Sequence, residues 1–156
     1  MVDLEGDELC AFISLAFDRM LAKAVLLGSR VSDRPKFDGA NSVFALVVHC
    51  VGVTEWWLGH VVAGQPSHRD RSAEFTSSGT VADLQAVVAQ FRSTLPKLVD
   101  QAVHTPVPES AYLESAIMKD RVWPWTTASI CLHVVEELFQ HAGHVDITAD
   151  LLARQS

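Results

Sequence analysis

Four side chains within twelve residues, His133, Glu137, His141 and His144, have the types and spacing to bind a metal ion. A helix turns by about 100° per residue, so spacings of four, four and three place them inside an arc of about 80°. Imidazole and carboxylate one turn apart are neighbours on a helix and can ligate one divalent cation. The stripe runs among Leu132, Val134, Val135, Leu138, Phe139, Val145 and Ile147. Burying three imidazoles and two acids, Glu136 and Glu137, in such company needs a compensating partner, and a metal ion is one.

Metal sites in helical bundles draw their ligands from facing helices. Glu137 and His141 can offer one pair. His49 is the best third ligand, since it lies in Val47-Val48-His49-Cys50-Val51 with no local polar partner. Two histidines and a carboxylate leave a position for water or substrate, the pattern of a catalytic site rather than a closed structural one. With zinc there, a bound water or thiol loses its proton near neutral pH. Spacing alone does not choose three ligands among His133, Glu137, His141 and His144. The same residues also read as an i, i+4 polar network.

Four apolar segments with helical periodicity must position these groups. The first runs from about Leu4 to Leu27 and stops at Gly28. The second runs from about Ser42 to Ala63, capped by Asn41 or Ser42 and ended by Gly64 and Pro66. A regular helical step puts His49, Val53, Trp56 and His60 on one face there, with Trp56 as a pocket wall. The third begins at Thr80, which with Asp83 resembles a capping box, and Pro96 is expected to kink or end it. The fourth starts at Thr126 or Thr127, runs to about Ala153 and carries the stripe. Before it, Ala111 to Met118 can form a short helix, Trp123 and Trp125 can cover the bundle end, and Arg34 and Arg121 fall in loops. No strand alternation is visible. The pattern predicts an all-α antiparallel four-helix bundle, a single domain over residues 1–156, with longer loops than a minimal bundle needs.

The net charge of -7 argues against general nucleic-acid or anionic-membrane binding. The one basic cluster, His68-Arg69-Asp70-Arg71, contains an acid and reads as a solvated loop. No apolar run is expected to reach the ~20 residues that cross a bilayer. The acidic N-terminus does not read as a secretory signal, so the expected location is cytoplasmic. Cys10, Cys50 and Cys131 show no CxxC spacing and read as buried thiols. Trp57, Val61 and Val62 suggest an apolar face beyond core need, and with it a homodimer.

Three motifs carry a family resemblance: Asn41-Ser-Val-Phe-Ala-Leu-Val-Val-His49, Glu55-Trp56-Trp57 through Gly64, and His133-Val-Val-Glu-Glu137-Leu-Phe-Gln-His141-Ala-Gly-His-Val-Asp146. Over nearly its whole length the chain resembles the DinB-like superfamily of metal-binding four-helix bundles. Within it, the chain is most similar to the N-terminal domain of mycothiol-dependent maleylpyruvate isomerase and related mycothiol S-transferases, a set of actinobacterial proteins. The resemblance implies His49, Glu137 and His141 as ligands of a divalent metal, most often zinc. It leaves His133 and His144 as supporting or pocket-lining groups beside Trp56. Glu137, where many relatives have histidine, places the chain on the thiol-dependent branch.

The implied activity is conjugation of mycothiol to an electrophile through a metal-held thiolate. The isomerase branch has a second, C-terminal domain, and this chain stops at Ser156, so a stand-alone S-transferase fits its length better. Two other functions remain consistent with the pattern: a non-catalytic metal- or ligand-binding bundle, and a metal-dependent hydrolase that uses water.

Overall fold

The computed structural model describes residues 6–107 and 126–155; Ala111 to Met118, Arg121, Trp123 and Trp125 lie outside that range. Helix α1, Gly6–Leu27, buries Leu9, Ile13, Ala16, Phe17, Met20 and Ala24 at the three- and four-residue spacing of a single face. Helix α2, Val43–Thr54, starts at Ser42, whose Oγ accepts the Ala45 N–H at 3.1 Å. A short helix α3, Arg71–Thr76, is capped by Asp70, whose carboxylate accepts from the Ser72 and Ala73 amides. Helix α4, Val81–His104, carries both halves of the Thr80–Asp83 capping box. Helix α5, Thr127–Arg154, begins at Thr126 with a reciprocal Ser129 bond. No strand occurs among the described residues.

The long helices form a four-sided bundle in which α1 adjoins α5 and α4, and α2 adjoins the same two. Cross-helix pairs give the directions. Asp18 meets Arg92 while Gly6 faces Val99 and Val103, so α1 and α4 run antiparallel. His49 meets His141 and Trp57 meets His133, so α2 and α5 also run antiparallel. Arg19 and Lys23 reach Asp146 and Asp150 in the same order, so α1 and α5 run parallel. Such a bundle needs a long crossover. The segment between α2 and α4 provides it, which accounts for the surplus loop length and gives α3 its place against α2.

Several details differ from the sequence reading. Helix α4 passes through Pro96 and does not end there, because Phe91 and Leu95 before it and Leu98 and Val99 after it are all buried. Helix α2 continues without a break into a π-helical segment, Glu55–Val62. It closes with Ala63 N–H on Leu58 O at 3.1 Å and with Gly64 at φ +65°, a conformation glycine adopts without strain. Together Val43–Val62 is long and apolar enough to cross a membrane, contrary to expectation, but 72% of its most apolar window is buried inside the bundle. Trp57, Val61 and Val62 are core residues, so the apolar face expected for a second copy is consumed within the chain. Arg34 donates to Ala40 O and Phe75 O, tying its loop to α3.

Candidate metal centre

His49 lies on the buried face of α2, opposite His141 of α5 with ring centroids 4.8 Å apart, edge to face. Glu137 sits between two imidazoles of its own helix. Its Oε2 is 3.7 Å from His141 Nε2 and its Oε1 is 3.6 Å from His133 Nε2. These separations are too long for hydrogen bonds. They are close to the roughly 3.4 Å between two ligands of one tetrahedral cation with bonds near 2.1 Å. His144 stacks beside His141 at 6.1 Å. The helical stripe therefore forms as the spacing requires, and α2 brings His49 to it.

His141 Nδ1 is buried and has no hydrogen-bond partner among the described residues. Burial, with His49, His144 and Arg71 nearby, pushes the His141 pKa down to about 4. Burial also lowers His49, against the pull of Glu74. Both imidazoles are thus neutral at pH 7, the form that ligates a cation. Two neutral imidazoles facing one another from two helices, with a carboxylate beside one of them, are donor types that suit a divalent metal.

His49 is held from behind by Glu74, which no sequence motif marks, and by Arg69 of the basic cluster expected to be a solvated loop. Its Nδ1–H donates to Glu74 Oε2 at 2.7 Å. Arg69 grips the same carboxylate with Nε at 2.6 Å and Nη2 at 3.0 Å. Arg69 Nη2 is also 3.4 Å from His49 Nδ1, but that nitrogen cannot both accept from a guanidinium and donate to a carboxylate; the shorter contact decides. Burial would raise the Glu74 pKa, yet the bonds from Arg69 and His49 outweigh it and hold it below the usual range. The Phe75 ring stacks on His49 at 4.5 Å.

On the α5 side, His133 Nδ1 donates to Glu136 Oε2 at 3.0 Å and its ring meets Trp57 edge to face at 5.0 Å. Among the described residues, His133, Glu136 and Glu137 form the group whose ligand atoms all lie within 4.8 Å of one another; His49, Glu137 and His141 are not drawn together that closely. Trp56 lines a cavity of about 620 Å³ with Val48, Val51, His60, Arg69 and Glu74. His49, His133 and His144 are not among that cavity's residues. Glu74 and Arg69, the residues that meet His49 Nδ1, both line that cavity.

A family model described as mycothiol-S-transferase matches residues 8–153. The chain belongs to the mycothiol-S-transferase family. No curated protein and no solved structure matches it. Membership makes the protein a transferase of a mycothiol-using family with a DinB-like bundle, as the motifs implied. The cysteines fit that chemistry as bystanders: Cys50 and Cys131 are buried, and burial raises both thiol pKa values, Cys131 to about 11.

Glu74 and Arg69 are the functional residues that sequence reasoning missed. Their one visible signal was Gly52, an isolated glycine inside an apolar helix, which marks close approach by another group.

Proposed function

We propose that this chain is a metal-dependent S-transferase that joins mycothiol to an electrophile, and that one domain spanning 1–156 carries the activity. His49, Glu137 and His141 hold the cation, with zinc favoured by the mixed imidazole and carboxylate donors. The observation that carries this reading is the His141 ring, whose Nε2 is 3.7 Å from Glu137 Oε2 and whose centroid is 4.8 Å from that of His49. A bound divalent cation lowers the pKa of a thiol, so that the sulfur is present as thiolate at neutral pH.

The chain's own residues do the rest. Burial keeps His49 and His141 unprotonated, so protons compete weakly for their nitrogens. Glu137 brings one negative charge to offset a cation in an apolar surround. His133 and His144 flank the ligands one turn to either side and line the approach, with Trp57 packed behind His133.

Mycothiol and a bimane electrophile test the reading. Conjugation above the uncatalysed rate, lost with a chelator and restored by zinc, is expected. No conjugation with metal present overturns the transferase assignment, and turnover without thiol favours water-using hydrolysis. A second ligand set, His133 with Glu136 and Glu137, has its own support in the compact grouping of those atoms. Loss of metal in His133→Ala but not in His49→Ala would select it.

A further inference from the structure

We infer that Glu74 and Arg69 are positioning residues of the metal centre: they fix His49 in one tautomer and one orientation from outside the ligand set. The inference rests on the proposed role of His49 and goes beyond it. An ionised carboxylate only accepts, so Glu74 Oε2 at 2.7 Å requires the proton on His49 Nδ1 and leaves the Nε2 lone pair for a cation. Glu74 is 8% exposed, and its two oxygens take separate bonds from Arg69, so the carboxylate cannot rotate without breaking one of them. The ring is clamped on its face by Phe75, the next residue on α3. Carboxylates in this position orient metal-ligating histidines and raise their basicity, and removing one typically weakens metal binding about 10- to 100-fold.

Gly52 supplies an independent handle. It lies on α2 one turn beyond His49, and a methyl group there would overlap Glu74 Oε1 and come within 2.9 Å of Glu74 Cδ and 3.3 Å of Arg69 Nε. The glycine is therefore the seat of the carboxylate. Gly52→Ala displaces Glu74 while leaving Glu74, Arg69 and His49 in the sequence, and alanine favours the helix.

The test uses the full-length protein, with Co2+ as a visible probe and chelator competition to measure Zn2+ affinity. Wild type, Glu74→Gln, Gly52→Ala and Arg69→Met are compared, with melting followed by circular dichroism. About 10- to 100-fold weaker Zn2+ binding and a shifted Co2+ spectrum are expected in Glu74→Gln and Gly52→Ala. Gly52→Ala is expected to fold with wild-type helicity and to melt earlier, so affinity and tautomer are read well below its midpoint, which separates positioning from a folding defect. Nitrogen-15 NMR of the metal-free protein should show His49 as the Nδ1–H tautomer in wild type and a tautomer mixture in Gly52→Ala. Wild-type affinity and tautomer in both variants overturn the inference while the metal reading stands. A wild type that takes up no metal overturns both.

Discussion

Two histidines in this fold donate Nδ1–H to a glutamate, and their surroundings differ. His133 bonds to Glu136 three residues on, along one helix, and the Glu136 side chain is 51% exposed. His49 bonds to Glu74 across 25 residues, the two side chains are 4% and 9% exposed, and Arg69 completes the arrangement. Water competes for the first pair and is nearly excluded from the second. A local pair follows from helix periodicity, whereas the non-local one requires the crossover between α2 and α4 to be built. Only the second can hold a ring rigidly, because the Glu74 carboxylate is itself fixed by two bonds from Arg69.

The largest expected effect breaks the stronger pair. Glu74→Ala strands Arg69 and should cost about 3 kcal/mol in urea unfolding. Glu136→Ala, the matching change on α5, should stay within about 0.5 kcal/mol. Comparable losses from the two would remove the distinction.

Protonation sharpens the comparison next. Burial holds folded His141 at about 4, below its ordinary 6.5, so between those values the unfolded chain binds more protons than the folded one. Metal-free protein should therefore lose stability as pH falls from about 6.5 towards 4. His49 shifts in the same direction. His141→Gln should flatten the profile, measured as urea midpoints across that range. An unchanged slope would show that His141 is not the group responsible.

A smaller effect tests the scaffold that presents the α5 stripe. Thr126→Ala removes the side chain that accepts the Ser129 amide and should cost about 1 kcal/mol, without changing metal affinity once folded. Weakest of all, Glu136→Gln should change Zn2+ affinity less than threefold, against the 10- to 100-fold expected for Glu74→Gln.

The same comparison explains what could be read from the sequence. The α5 stripe was legible because residues three and four apart must share a helical face, and the Thr80 and Thr126 caps were legible because capping is local. His49 stood out by its apolar run without a local polar partner, the family resemblance pointed to the same residue, and its ring lies close to that of His141. Glu74 was not legible: a carboxylate on a six-residue helix in a charged loop resembles any solvated acid until the crossover folds it against α2. The π-helical segment Glu55–Val62 was equally hidden, since nothing in its residue types marks it. Of the two outcomes expected at Pro96, an end to the helix does not occur, because buried neighbours on either side outweigh one lost backbone bond.

The most direct test of the central claim is metal content per chain in purified wild type and in His49→Ala, Glu137→Ala and His141→Ala, each confirmed folded by circular dichroism. The account predicts about one divalent ion per wild-type chain and background levels in all three variants. Stoichiometric metal retained in all three would contradict it.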